Sequence, residues 1–116
     1  MRFEARELKS YAEPVASNDL TVGAIYFSVQ FVDGEMLIPQ VERLVFIGRD
    51  LEAGDQATLY FQDAGSHRQG IRFDSSENDD AAFYAQGEHE INHIFEYERA
   101  LDLLLTCSMR RKKEHP

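Results

Sequence analysis

Ile25-Tyr26-Phe27-Ser28-Val29-Gln30-Phe31 is the stretch that indicates the fold most clearly. Every second residue from Ile25 onward is apolar, and the residues between them are Tyr, Ser and Gln. Because successive side chains of a strand point to opposite faces, this period of two predicts a β-strand with one buried face, from about Val22 to Val32. Asp33-Gly34 follows and predicts a turn.

Two further apolar segments predict strands. Leu44-Val45-Phe46-Ile47 is a continuous apolar run, which favours a strand that is covered on both faces. Thr58 to Gln62 predicts a third strand, with Tyr60 on the face opposite to its two apolar neighbours. Between the first two strands, Met36 to Pro39 is assigned to a long ordered loop, because proline lacks the N–H that a central strand needs.

The remaining segments predict shorter elements and one long helix. Ile71 to Phe73 predicts a short fourth strand in a hairpin with the third, and Ala81 to Gln86 a single helical turn. Phe3 to Leu8 predicts a strand or an arm, and Asp74 to Asp80 an exposed acidic loop. A helix is expected from about Asn92 to Arg111, because five apolar residues share one stripe at 100° per residue: Ile94, Tyr97, Leu101, Leu104 and Leu105.

The order of strands followed by one helix predicts the fold class. It indicates an α+β protein that is mainly β, with an antiparallel sheet and one long C-terminal helix. The strand lengths favour a small SH3-like barrel or a curled sheet. With 116 residues, 43% of them hydrophobic and 28% charged, the chain is expected to form a single domain over residues 1–116.

Charge and cysteine content narrow the function classes. Twelve basic residues against 21 acidic ones give a net charge of −9, which argues against nucleic acid and anionic membranes as partners. Cys107 is the only cysteine, so no intrachain disulfide can form. The start of the chain lacks a signal-peptide pattern, and no apolar run approaches the ~20 residues of a membrane span. A soluble cytoplasmic protein is therefore expected.

His89-Glu90-Ile91-Asn92-His93 matches H-E-x-x-H, a pattern with a catalytic mechanism. On a helix, two histidines four residues apart share a face and can bind one Zn²⁺. Over these five residues the chain resembles the zincin metalloprotease signature. The resemblance implies a zinc-dependent hydrolase with His89 and His93 as metal ligands and Glu90 as the general base.

The start of the last helix decides whether this zinc site can form. Gly87 weakens a helix just ahead of the motif, and Asn92 is a good N-cap. If the helix begins at Asn92, His89 lies outside it and the shared face is lost. Catalytic zinc also needs a third protein ligand, and few residues follow the motif. The zinc hydrolase is therefore an alternative hypothesis, and no other cofactor is expected.

The leading hypothesis is a small acidic non-enzymatic domain that acts by protein interaction, in an accessory role. The expected partner surface is the apolar loop of Met36, Leu37 and Ile38. Tyr26 and Tyr60, expected on outward faces of neighbouring strands, extend this surface. The expected occupant is a partner protein or a second copy of the chain, as in a homodimer.

Two other hypotheses stay open at the level of sequence. An inhibitor or immunity-like protein would bind a basic partner through the stretch Leu51 to Glu90, which holds nine acids and two arginines. A small-ligand binder would use the interior of the barrel, for which the sequence indicates no specific residues.

Overall fold

A computed structural model describes residues 12–74 and 81–114 of the chain. These residues form a short 3-10 helix, five strands and two α-helices. The strands are β1 (Ile25–Phe31), β2 (Pro39–Arg49), β3 (Thr58–Asp63), β4 (Phe83–Gly87) and β5 (Ile94–Phe95), and the helices are α1 (Ala64–Arg68) and α2 (Tyr97–Glu114). The predicted element Phe3 to Leu8 and residues 75–80 of the predicted acidic loop lie outside the described residues.

The five strands form one antiparallel sheet in the order β4-β3-β2-β1-β5. This confirms the α+β class with an antiparallel sheet and one long C-terminal helix. In the described part of the chain, β4 and β5 are the two edges of the sheet, so the sheet is open. The prediction of a closed barrel is wrong, and the SH3-like form is not confirmed. None of the described helices is both long enough and apolar enough to cross a membrane.

Strand β2 is longer than the sequence predicted. It begins at Pro39, which pairs with Phe31 at the end of β1. A proline is tolerated there because the first residue of a strand need not donate to the ladder. A β-bulge between Phe46 and Gly48 shifts the register with β3, and bulges increase the local bend of a strand. The predicted coverage of Leu44 to Ile47 on both faces is confirmed, since the first three are buried and the last is half-buried.

Each face of the sheet carries its own apolar core. We call the faces front and back. The front core comprises Val15, Tyr26, Leu44, Phe46, Leu59, Phe61, Ile91 and Ile94. The back core, under α2, comprises Ala12, Val29, Phe95 and Ala100, with Phe27, Phe31, Leu103 and Leu104 packed against it. Helix α2 covers β1 and β5 on the back, whereas α1 contacts β2 and β3.

The prediction for Ile71 to Phe73 and for Ala81 to Gln86 is wrong in both cases. Strand β4 lies where a helical turn was expected, and it pairs with β3 in place of Ile71 to Phe73. Ile71 to Phe73 instead crosses the back of β3. The ring of Phe73 packs edge-on against Tyr60 and against Phe83, with 5.3 Å between ring centroids in each case.

Helix α2 begins at Tyr97, five residues after the predicted start. The residues just before it are drawn into the sheet, because Ile94 pairs with Ser28 and Phe95 with Phe27. Both side chains are buried, one in each core. The energy of this pairing and burial outweighs the N-capping preference of Asn92.

The apolar stripe predicted for the helix is only partly buried. Ala100 and Cys107 point into the protein, whereas three of the predicted core residues are exposed: Tyr97, Leu101 and Leu105. The buried side of α2 is therefore rotated away from the most apolar side. The helical period of the apolar residues was predicted correctly, but the prediction that Tyr97, Leu101 and Leu105 are buried is wrong.

Candidate functional site

The H-E-x-x-H residues lie in the turns between β4 and β5. Glu90 N donates to the Gly87 carbonyl at 2.9 Å, which closes the first turn. His89 is exposed and lies 3.4 Å from the Glu88 carboxylate, whereas His93 is half-buried. The helix on which the zincin geometry depends is therefore absent from this stretch, and His89 lies outside α2.

His89, Glu90 and His93 do not form a ligand set. Within residues 12–74 and 81–114, no three His, Cys, Asp or Glu side chains are placed to hold a metal ion. His93 instead faces a pocket on the front of the sheet. Burial lowers the pKa of its imidazole, so the ring is neutral at neutral pH and can both donate and accept one hydrogen bond.

This front pocket, which we call the polar pocket, has a volume of about 130 Å³. It begins where the apolar front core ends. Its floor is apolar and consists of Leu44, Phe61 and Ile94. Its walls are polar and come from β1, β2, β4 and the residue before β5: Ser28, Gln30, Gln40, Glu42, Tyr84, Gln86 and His93.

The register of β1 and β2 places four of these polar side chains in a small array. Gln30 is directly opposite Gln40, and Ser28 is directly opposite Glu42. Directly opposed residues of an antiparallel pair point to the same face, with Cβ atoms about 4.5–5.5 Å apart. The four side chains therefore converge on the pocket, although they are distant in sequence.

Tyr84 links the far wall of the pocket to this array. Its phenol lies near the carboxyl group of Glu42. Burial raises the pKa of Tyr84 above its usual value, and the negative charges of Glu42 and Asp63 raise it further. The phenol is therefore uncharged at neutral pH, and the Glu42 carboxylate carries the formal charge of the wall. Among the described residues that line the pocket, none is Lys or Arg.

The back face carries a second candidate surface, a groove of about 740 Å³ that we call the back groove. Its floor includes Ile25 and Val45, and α1 forms one wall. Arg43 and Arg68 both line it and are both exposed. The groove is therefore apolar at its floor and basic at its rim, in a chain that is acidic as a whole.

An exposed apolar strip adjoins this groove. Its members are between 42% and 63% exposed, and two lie on the sheet and three on α2: Ile25, Val41, Tyr97, Leu101 and Leu105. The Tyr97 ring contacts Phe27, with 5.3 Å between ring centroids, and Phe27 pairs with Arg43 of the groove. Ile25 therefore belongs to both the strip and the groove, and Tyr97 is connected to the groove residue Arg43 through Phe27.

The predicted partner loop is ordered and only partly exposed. The Asp33 carboxylate accepts hydrogen bonds from Leu37 N at 3.0 Å and from Ile38 N at 2.8 Å. Burial opposes ionisation of Asp33, but these backbone donors outweigh it and lower its pKa. Leu37 is buried beneath the thiol of Cys107, which donates to its carbonyl at 3.5 Å. The exposed apolar side chains of the loop are Met36 and Ile38.

The outward placement expected for Tyr26 and Tyr60 is wrong, since both rings are buried. The two strands are also not neighbours, because β2 lies between β1 and β3. Tyr26 belongs to the front core, and its hydroxyl accepts from Thr21 N at 2.8 Å. Tyr60 does face the side opposite to its neighbours, as predicted, but Phe73 covers its ring.

Several carboxylates of the acidic stretch Leu51 to Glu90 serve the fold internally. Asp55 accepts a hydrogen bond from the hydroxyl of Tyr60, and this bond, burial and the nearby charges raise the pKa of Tyr60 to about 12. Asp63 accepts hydrogen bonds from Ser66 and Ala82. These internal hydrogen bonds give Asp55 and Asp63 a structural role. A docking face for a basic partner on this stretch stays a prediction.

No protein-family model, curated protein or solved structure matches this chain. The functional interpretation therefore rests on the geometry and chemistry of the polar pocket and of the back surface.

Proposed function

We propose that the chain is a non-enzymatic interaction domain that binds an acidic amphipathic segment of a partner protein on its back surface. The observation that carries the proposal is the apolar strip of Ile25, Val41, Tyr97, Leu101 and Leu105 beside the groove. Large apolar side chains that are grouped and exposed favour a protein partner, because burying each one contributes roughly 1.5–3 kcal/mol.

The charge of the groove selects the chemistry of the partner. Arg43 and Arg68 line it, and the basic residues at the end of α2 lie beyond Leu105 on the same helix. Basic side chains around an apolar floor complement a segment that is apolar on one side and acidic on the other. The apolar floor of Ile25 and Val45 beside α1 suits a helix laid in a groove, the recognition mode in which anchors recur every three or four residues.

The test uses designed peptides as probes of the full-length chain. The first is an amphipathic helix of about 14 residues with Leu at positions i, i+3, i+4 and i+7 and Glu elsewhere. The matched peptide has Lys in place of every Glu. Fluorescence anisotropy is expected to give a Kd on the order of 10–100 µM for the acidic peptide, with several-fold weakening at high salt. Stronger binding of the basic peptide would overturn the proposal.

Two variants locate the binding surface. Leu101→Asp is expected to weaken the acidic peptide about tenfold, because it places a charge in the apolar strip. Leu51→Asp is the matched control, since Leu51 is 40% exposed, close to the 45% of Leu101, and belongs neither to the strip nor to the lining of the groove. Both variants should retain the circular-dichroism spectrum of the parent.

The same variants also distinguish this proposal from binding at the loop and from self-association. Weakening by Ile38→Asp but not by Leu101→Asp would assign binding to the loop and refute the role of the strip. Sedimentation velocity tests self-association, for which the proposal expects a monomer. A dimer that Leu101→Asp dissociates would assign the strip to a second copy of the chain and exclude the acidic segment.

A further inference from the structure

We propose that the polar pocket on the front of the sheet binds a ring-sized polyol with one ammonium group, the chemical class of amino sugars. The pocket and the back surface lie on opposite faces, so this inference does not depend on the interaction proposed above. It rests on three properties of the pocket: its size, the kind of hydrogen-bonding groups in its walls, and their net charge.

The size of the pocket suits a six-membered ring. Its volume of about 130 Å³ is close to that of an engineered cavity of about 150 Å³ that binds benzene. Leu44 is the apolar lining residue that keeps some exposed surface, 4%, against which the C–H groups of a saturated ring can lie, and the fully buried Ile94 supports the pocket from below. The wall residues Gln30 and Gln40 are exposed, which leaves room for ring substituents at the mouth.

The walls match hydroxyl groups in both hydrogen-bonding directions. A primary amide offers two donors and one acceptor oxygen, and a hydroxyl needs both kinds of partner. Gln30 and Gln40 are directly opposed across two strands, and Gln86 faces them from β4. Two opposed amides can therefore hold neighbouring hydroxyls of one ring, which an apolar pocket of the same volume cannot do.

The charge of the walls selects an ammonium group. Glu42 is the one acidic residue of the described lining, and the neighbouring Tyr84 phenol, whose pKa is raised, adds no compensating positive charge. Because the described lining contains no Lys or Arg, a ligand carboxylate or phosphate would meet Glu42 with no compensating cation. An ammonium group beside Glu42 gains a charge-assisted hydrogen bond instead.

The test compares three sugars that share one ring and differ in charge: glucosamine, glucose and glucuronate. Each is titrated into the ¹⁵N-labelled full chain at slightly acidic pH, where the amine is protonated. The expected order of affinity is glucosamine, then glucose, then glucuronate, with a Kd on the order of 1 mM for the first. The shifting signals should be the side-chain amides of Gln30, Gln40 and Gln86 and the imidazole of His93.

A conservative substitution separates charge from shape. Glu42→Gln is expected to weaken glucosamine about threefold to tenfold, to the level of glucose, and to leave glucose nearly unchanged. The matched control, Glu35→Gln, changes an exposed carboxylate outside the pocket and should leave all three titrations unchanged. Tightest binding by glucuronate, or no change of the named signals with any of the three sugars, would overturn the proposal.

Discussion

Asp63 connects the two candidate sites, and replacing it tests how strongly both depend on one carboxylate. It ends β3 and is the N-cap of α1, with Oδ2 accepting from Ser66 N at 2.9 Å. Its Oδ1 accepts from Ser66 Oγ at 2.6 Å and from Ala82 N at 2.8 Å. One side chain therefore fixes α1, a wall of the back groove, and the approach to β4, a wall of the polar pocket.

The expected loss of stability follows from these three hydrogen bonds. A hydrogen bond to a charged group contributes about 1.5–3 kcal/mol, but bonds that share one acceptor are not additive. Asp63 is also half-buried, so in Asp63→Ala water can accept some of the hydrogen bonds that the carboxylate accepted in the parent. We expect Asp63→Ala to lower the free energy of unfolding by about 2–4 kcal/mol. Asp63→Asn keeps one side-chain oxygen and should cost about 1–2 kcal/mol.

The pH dependence of Asp63→Asn provides an independent check. Burial acts to raise the pKa of Asp63, but the hydrogen bonds from Ser66 and Ala82 outweigh it and lower the pKa below the ordinary value of 3.8. A carboxyl whose folded pKa is depressed stabilises the fold above its unfolded pKa, and this stabilisation is lost as the pH falls through the folded pKa. The difference between parent and Asp63→Asn should therefore be largest near neutral pH and shrink below about pH 4.

Urea denaturation followed by circular dichroism measures both effects. Each variant is unfolded at neutral and at acidic pH, and Glu35→Gln serves as the control for losing an exposed carboxylate. The reasoning is refuted if Asp63→Asn stays within about 0.5 kcal/mol of the parent at neutral pH. It is equally refuted if the difference persists unchanged at acidic pH.

Two further predictions concern the partner loop and the β2–β3 turn. Asp33→Ala should speed the reaction of Cys107 with a thiol reagent several-fold, because it releases the loop that covers the only sulfhydryl of the chain; an unchanged rate would show that Asp33 does not hold the loop. Asp55→Asn should move the pKa of Tyr60 from about 12 toward 10.0, measured as phenolate absorbance against Tyr60→Phe. A parent Tyr60 that already titrates near 10.0 would contradict the hydrogen bond to Asp55.

The sequence predicted correctly those elements whose apolar residues follow a regular pattern within the element itself. The alternation of β1 and the apolar runs of β2 and β3 each lie within one element, so they need no knowledge of its partners. Strand β4 was missed because Phe83 to Gly87 is too short to separate a strand from a helical turn by pattern alone. The late start of α2 was missed because it follows from the pairing of Ile94 and Phe95 with β1, which is a nonlocal contact.

The candidate sites were harder to predict, for the same reason. In the sequence, Gln30 looks like an ordinary polar residue of the first strand, and Gln40 and Glu42 precede the predicted second strand. Only the register of β1 and β2 brings the three together. The period of α2 predicted an apolar stripe correctly, but periodicity does not show which part of a stripe is covered. His93 was expected to be a metal ligand, and the structure places it in the polar pocket. Among the described residues, no three His, Cys, Asp or Glu side chains are placed to hold a metal ion.

The short strand β5 connects the two candidate sites, so substitutions that test binding should be made at exposed residues away from β5. Ile94 forms part of the pocket floor and belongs to the front core, while Phe95 lies under α2 in the back core. His93 and Tyr97 stand at the two ends of this segment, one in the polar pocket and the other in the apolar strip. A substitution at Ile94 or Phe95 would therefore disturb both surfaces through the fold, and loss of binding would not identify either site. Glu42 and Leu101 are exposed and lie on separate surfaces, so a substitution at either one should impair binding at its own surface only.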